Sequence, residues 1–292
     1  MEKLLNGFES LCFDKNLIKI RNKLISEERL DFNDAKAIME TQDINSLGIL
    51  SSSVKEKMHG KKVYFVVNRH INPSNVCAIS CKFCAFGKPK GHSDAYEMSM
   101  EKVLSLVSNE LKEIHIVGGL HPDWKFEKYL EIVREVSKAA PDAHIKAFTA
   151  VEIDWFSQIS GKSVSKVISD LMNAGVDALP GGGAEIFSPE VRKKICTPKT
   201  TGDSWLEIHR EAHKQGLPSN ATILYGHLES YDDVIDHVSR LRDLQDDTNG
   251  FFAFIPVLFQ PFNTRLSKVK PFPFSYDLKI HSLARLYLDN FP

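Results

Sequence analysis

The sequence predicts an α/β fold, a parallel (β/α) barrel of six strand–helix units behind an N-terminal helical extension. Three observations carry this. From residue 62 onward, short apolar runs alternate with amphipathic helical periods, which implies a parallel sheet with helices outside it. The segment after each of the first five runs is rich in glycine, amides, carboxylates or imidazoles, and in a parallel barrel the C-terminal strand ends are where function collects. After the first run, where a doubly wound sheet carries a Gly-rich phosphate turn, this chain places three cysteines.

Residues 1–61 read as the helical extension and 62–292 as the barrel. In the extension, Leu17, Ile18, Ile20 and Leu24 mark a helix over 14–25. A second helix follows Asp31 with Phe32, Ala35, Ile38 and Met39 inward, and a third runs from Asp43 towards Met58, with Gly60 to end it. The barrel strands are expected at 63–67, 113–117, 143–148, 176–179, 220–224 and 251–257. Between them lie a Ser99-capped helix with Val103, Leu104, Val107 and Leu111 on one face, and a helix built on Phe126, Tyr129, Leu130, Val133 and Val136. Further helices are expected from Ser163 to Gly175, from Asp203 towards Gly216, over 230–244 and over 275–288.

Composition narrows the function classes. The chain has 292 residues, 42% hydrophobic and 26% charged, as globular proteins do. Its 37 Lys and Arg nearly balance 38 Asp and Glu, so no global field argues for nucleic acid or an anionic membrane. The stretch Met1 to Asn6 lacks the apolar core of a signal peptide, and the most apolar run, Phe251 to Phe259, contains Pro256 and is far too short to span a bilayer. Five cysteines, three of them clustered, do not make a disulfide framework and suit a reducing cytoplasm. Cys12 and Cys196 read as ordinary half-buried thiols.

Cys77, Cys81 and Cys84 stand at C-x3-C-x2-C spacing with Phe83 before the last. Soft thiolates suit zinc or iron–sulfur clusters. A cubane fully held by protein takes four cysteines, so three leave one iron open for chemistry. The rival is a zinc site completed by a distant Cys or His, although zinc sites favour paired C-x2-C arrangements. At the other strand ends stand Gly118-Gly119 with His121, Thr149 with Glu152, Gly181-Gly182-Gly183 with Glu185, and Tyr225 with His227. The glycine pairs admit either a tight turn or close backbone approach to a ligand. His115, mid-strand among apolar residues, reads as a core histidine.

The run His115 to Pro122, Phe148-Thr149-Ala150-Val151-Glu152-Ile153, Pro180-Gly181-Gly182-Gly183-Ala184-Glu185-Ile186, Ser219 to His227 and Gly250 to Pro256 follow the cysteine loop in order. Together they resemble the aminodeoxyfutalosine synthases, radical S-adenosylmethionine (SAM) enzymes of the futalosine route to menaquinone, over residues 10 to 292. The resemblance implies a radical SAM TIM-type barrel with a [4Fe-4S] cluster on Cys77, Cys81 and Cys84. It implies that SAM is cleaved by one electron and that the adenosyl carbon adds to 3-[(1-carboxyvinyl)oxy]benzoate, giving 6-amino-6-deoxyfutalosine, methionine and bicarbonate. Phe83, Gly118, Gly119, Glu185 and Asn220 are then the expected SAM contacts. Glu185, His121 and His227 are the catalytic candidates, and Asn68, Thr149, Arg192 and Tyr225 the substrate contacts. The implied partners are the small-molecule substrate and a low-potential donor of flavodoxin or ferredoxin type, with no nucleic acid and no membrane.

Members of that family usually continue several tens of residues beyond the equivalent of Pro292, enough for two more βα units. The expectation here is an open six-unit barrel or a truncated product. Two other readings stay open at this stage. One is a neighbouring radical SAM reaction, the dehypoxanthine futalosine cyclase or the tyrosine-using deazaflavin synthase; the other is a zinc-stabilised protein without catalysis.

Overall fold

The computed structural model describes residues 5–197 and 199–292. Four helices come first, α1 Phe8–Leu11, α2 Lys15–Ile25, α3 Phe32–Glu40 and α4 Ile44–His59. Short acids start three of them: the Asp14, Asp31 and Asp43 side chains each accept first-turn N–H groups, and Asp31 with Asp34 closes a capping box. Gly60 ends α4 at φ 59°.

The remaining elements are β1 Asn68–Ile71, α5 Met100–Leu104, β2 Glu113–Ile116, α6 Phe126–Ala139, β3 His144–Ala147, α7 Ala150–Ser160, α8 Val164–Ala174, α9 Pro189–Ile195, α10 Gly202–Lys214, β4 Ser219–Tyr225, α11 Tyr231–Thr248, β5 Phe251–Leu258 and α12 Phe274–Tyr287. β1, β2 and β3 form one parallel ladder, and β4 with β5 another. Residues 176–179 join the two through single parallel bridges, Lys146 to Ala178 and Leu179 to Ser219. The six strand positions therefore follow chain order, each crossover stepping the same way. That is the winding of a barrel wall, without the reversal that defines a doubly wound sheet.

Ile114, Ile116, Ile145 and Ala147 are buried from β2 and β3, and α6 and α8 supply Val133, Val136, Val167, Ile168 and Leu171 to the same core. Each such aliphatic side chain contributes about 1.5–3 kcal/mol. Leu17, Ile20, Ile38, Met39, Leu47 and Leu50 of the N-terminal helices belong to that core as well. α3 and α4 pack on α12, and α3 also on α11. No helix among the described residues is long and apolar enough to cross a membrane.

The largest departure from expectation is the first strand. Val63, Tyr64 and Phe65 are 83%, 73% and 91% exposed and lie outside the sheet. The ladder starts only at Val67, whose carbonyl accepts the N–H groups of Lys112 and Glu113. An apolar run becomes a strand where a neighbour lies alongside, and β2 begins at Glu113. β1 is therefore displaced along the chain to Asn68–Ile71. Residues 176–179 make bridges in place of a ladder, α5 stops at Leu104 before Val107 and Leu111, and α1, α7 and α9 are additional.

Candidate active site

The cysteine loop leaves β1 and is held largely by main-chain groups. Cys77 N–H donates to Lys88 O and Lys88 N–H to Asn75 O, both at 2.8 Å; Ala78 N–H donates to Leu120 O at 2.8 Å and Lys82 N–H to Ile195 O at 2.7 Å. Asn75 adds side-chain bonds to Asp94 O (2.9 Å) and from Tyr96 N–H (2.7 Å), and Asn72 donates to Val117 O (2.8 Å). The loop bounds a cavity of about 520 Å³ whose lining includes Cys77, Cys81, Phe83, Cys84, Gly118, Gly119, Thr149, Glu152, Glu185, Lys199 and Arg265.

Gly118 and Gly119 serve the loop before any ligand. A Cβ on Gly119 would stand 2.2 Å from Val76 O and one on Gly118 would stand 3.0 Å from Ser74 O, so both glycines let two backbones touch. Gly119 N–H donates to Ser74 O at 3.0 Å, and Gly118 N–H to Glu152 Oε1 at 2.9 Å. Their carbonyls accept no hydrogen bond among the described residues, and both glycines line the cavity. In the third loop, Gly181 packs on the β4 backbone and Gly183 against Val151 at φ 90°.

Glu152 stands at the third residue of α7, in a capping box with the N-cap Thr149. It is buried and accepts from Thr149 N–H (2.8 Å), Thr149 Oγ1 (2.7 Å) and Gly118 N–H (2.9 Å). Burial raises it to about 7, and those hydrogen bonds hold the rise in check. Glu185 adopts φ 49°, a left-handed conformation that costs on the order of 1 kcal/mol. Its carboxylate is bonded to Lys199 Nζ. Burial alone would lower the lysine, but the Glu185 charge and hydrogen bond together with the nearby Cys81 and Cys196 outweigh it, and the ammonium is raised. The Lys199 ammonium also lies 5.2 Å from the Phe83 ring centroid, a cation–π contact.

The structure brings Cys77, Cys81, Cys84, Phe83, Gly118, Gly119, Thr149 and Glu185 to one cavity. The other expected site residues do not line this cavity. His121 is buried, stacks on Trp124 with centroids 4.7 Å apart, and has its Nε2 3.1 Å from Glu97 Oε1, so it braces a wall. His227 is buried on Glu229 (3.0 Å) and its Nε2 meets Leu224 O at 3.0 Å; burial lowers its basicity despite that carboxylate. Arg192 is buried among carbonyls, donating to those of Ala184, Ile186 (3.1 Å) and Thr200, and so clamps the segment after Gly181–Gly183. Tyr225 packs on Tyr276, 5.9 Å between centroids, and burial with Asp277 raises its phenol to about 12. Asn220 is buried within β4 beside Gly181. Asn68 opens β1, so the displaced strand carries it to the end opposite the cysteines.

Four basic lining residues went unanticipated, Lys88, His92, Lys199 and Arg265. A buried-side carboxylate such as Glu185 needs a counter-charge, and the lysine fourteen residues on was the available signal. For Arg265, in the loop after β5, no signal in the sequence marks it out.

The donor set fits the cluster and SAM that the cysteine spacing suggests. Three thiols line one cavity, and among the described residues no three His, Cys, Asp or Glu side chains gather at a distance suited to a single ion. Thiolates spread round a cavity suit a polynuclear cluster, one per iron, better than one tetrahedral zinc. Two open carbonyls beside a paired carboxylate and ammonium match the charged amino-acid end of SAM.

Comparison with known proteins agrees. The profile of the Radical SAM superfamily matches residues 71–241. An aminodeoxyfutalosine synthase of Thermus thermophilus is 42% identical over 96% of this chain and 77% of its own length. A 5-amino-6-(D-ribitylamino)uracil–L-tyrosine 4-hydroxyphenyl transferase of Methanopyrus kandleri is 41% identical over 79% of this chain and 65% of its own. The FeFe-hydrogenase maturase HydG from Carboxydothermus hydrogenoformans superposes with a TM-score of 0.74 over 99% of this chain and 67% of its own, at 18% identity, a likeness of fold. The cavity of three thiols, the barrel wall around it and the near full-length identity agree: the chain belongs to the radical SAM superfamily and, within it, to the family of the aminodeoxyfutalosine synthases.

Proposed function

We propose that this chain joins the adenosyl part of SAM to 3-[(1-carboxyvinyl)oxy]benzoate, giving 6-amino-6-deoxyfutalosine, methionine and bicarbonate. The observation that carries the reading is 42% identity to a protein of that activity over 96% of the chain. The bound cluster, once reduced by one electron, supplies the cleavage of SAM that makes its adenosyl carbon reactive.

The chain's own residues hold and orient. Cys77, Cys81 and Cys84 hold the cluster. The Gly118 and Gly119 carbonyls take the SAM ammonium, with Glu152 fixing their loop through the Gly118 N–H. Lys199 takes the SAM carboxylate and Glu185 the ribose hydroxyls or ammonium, the two groups orienting each other. Phe83 packs against the adenine. Thr149 contributes wall, because its hydroxyl is already committed to Glu152. A carbon radical attacks almost any nearby C–H bond, so these walls must keep the alkene in contact, on the order of 3–3.5 Å from the adenosyl carbon, and keep water out. The electron comes from a low-potential donor protein of flavodoxin or ferredoxin type, the setting is the cytoplasm, and residues 1–61 act as a helical brace for the catalytic barrel.

The test is anaerobic incubation of the reconstituted protein with SAM, a reductant and the carboxyvinyl benzoate. An adenosyl adduct by mass spectrometry is expected. Free 5′-deoxyadenosine with no adduct overturns the assignment, and transfer of a 4-hydroxyphenyl group from L-tyrosine to ribitylaminouracil, with no adenosyl adduct, moves it to the other relatives' reaction.

A further inference from the structure

The cavity holds more cationic side chains than its own carboxylates use. Glu185 is paired with Lys199, and Glu152 accepts from Thr149 and from the Gly118 N–H. Among lysines and arginines that leaves Lys88 and Arg265, which line the same cavity and have no carboxylate partner among the described residues. A cluster on three thiolates is an anion and SAM, with its sulfonium, a cation, so these two offset each other. The two remaining cations face a third molecule.

Arg265 is the better placed of the two. Its loop follows β5, and its N–H donates to Lys82 O at 2.9 Å. Its guanidinium reaches Ser80, between the first two cysteines, and donates through Nη2 to Ser80 O and, at 2.8 Å, to Ser80 Oγ. Ser80 carries no charge, so this clamp fixes the guanidinium and leaves its charge, Nε and Nη1 uncommitted among the described residues. A planar guanidinium held in place matches a carboxylate with paired donors, which a lysine ammonium does not. Arg265 also walls a second cavity of about 470 Å³, whose lining holds Lys268 and Lys270 and no Asp or Glu. Both cavities that meet at Arg265 suit an anion.

We propose that Arg265 is a specificity-determining residue: it binds one carboxylate of the acceptor molecule and so selects a dianion over an acceptor without net charge, such as L-tyrosine, for which the Methanopyrus kandleri relative is named. The inference rests on the reading of the acceptor as 3-[(1-carboxyvinyl)oxy]benzoate, which carries two carboxylates.

The experiment uses the full chain with its cluster reconstituted, SAM bound and no reductant, so that nothing turns over. Binding of the diacid and of each of its monomethyl esters is followed by titration calorimetry in the unaltered chain, Arg265→Met and Arg265→Lys. Expected is at least about tenfold weaker binding of the diacid to Arg265→Met, with Arg265→Lys between, and the same loss in the unaltered chain for one of the esters. For that ester Arg265→Met should cost no more than about twofold, because the partner is already gone. Iron content, and the electron paramagnetic resonance signal after dithionite reduction, should be equal in all three proteins. Diacid binding to Arg265→Met within about twofold of the unaltered chain, or an equal loss for the diacid and both esters, overturns the assignment. Loss of iron together with binding makes Arg265 a brace of the cysteine loop through Ser80 and overturns it as well. Failure of the unaltered chain, once reduced, to form an adenosyl adduct with the diacid overturns the functional reading instead, so the two failures are distinct.

Discussion

The two halves of the sheet use their strand ends differently. After β1, β2 and β3 the chain delivers Cys77, Cys81, Cys84, Gly118, Gly119 and Thr149 to one cavity. After β4 the residues of the same chemical types turn inward: Glu229 accepts from the Gly226 and His227 N–H groups and from the Tyr276 hydroxyl, and His227 and Tyr225 are buried beside it. Polar residues at the C-terminal end of a barrel strand are therefore of two kinds. One kind faces a cavity, and the other secures the following loop so that the first can be rigid. Position in the barrel distinguishes neither; hydrogen bonding does, because a group with all its partners inside the chain has none left for a ligand.

This contrast can be broken by substitution. Cys77→Ala, Cys81→Ala or Cys84→Ala should each cut iron content and lower activity by more than about a hundredfold, since even the partners of metal ligands cost 10–100-fold; retention of full iron by any of them would remove that cysteine from the ligand set. Next comes Gly119→Ala, whose Cβ would meet Val76 O at 2.2 Å, against 3.0 Å from Ser74 O for Gly118→Ala. Overpacking of backbone on backbone should cost Gly119→Ala about 3 kcal/mol or more in denaturant unfolding, and Gly118→Ala about 1 kcal/mol. Equal costs would mean that the two loops can slide apart.

A titration gives a comparable effect on the cavity side. Glu152 is raised from 4.5 to about 7 by burial. In that window the native state holds a proton the unfolded chain has lost, so the carboxyl's contribution to stability is greatest below the lower value and falls as pH climbs through the higher. Stability of the unaltered chain relative to Glu152→Gln should thus fall by about 3 kcal/mol between those pH values. A flat difference would place the carboxyl at its ordinary value. The smallest effect is expected from Tyr225→Phe, which removes a hydroxyl that faces Asp277 and should cost about 1 kcal/mol of stability while leaving the KM for SAM within about twofold. Lys199→Met, by contrast, should raise that KM about tenfold and also lower the melting temperature, because it leaves the Glu185 carboxylate without its counter-charge.

The barrel was legible in the sequence because period and punctuation agree over most of its length. The cysteine loop and the two glycine loops were legible because their composition is unlike that of a packed core. The first strand was misplaced because Val63 to Val67 is the more apolar run, while pairing with Glu113 decides the register. Arg192 and Lys199 are both basic residues after Glu185, and only packing shows that one clamps carbonyls and the other faces the cavity. Side-chain direction in irregular segments is a tertiary property, and no spacing rule reaches it.

The cysteine loop's hold through main-chain groups bears on how the protein can diverge. Amides and carbonyls of Asn75, Cys77, Ala78, Lys82 and Lys88 carry the attachment, and any residue except proline supplies the amides. The exposed positions Ala78 and Lys82 between the thiols, and Ala85 just after them, are therefore open to exchange with little penalty to the loop's shape. Relatives built on the same frame can vary this exposed face while the loop beneath keeps its shape.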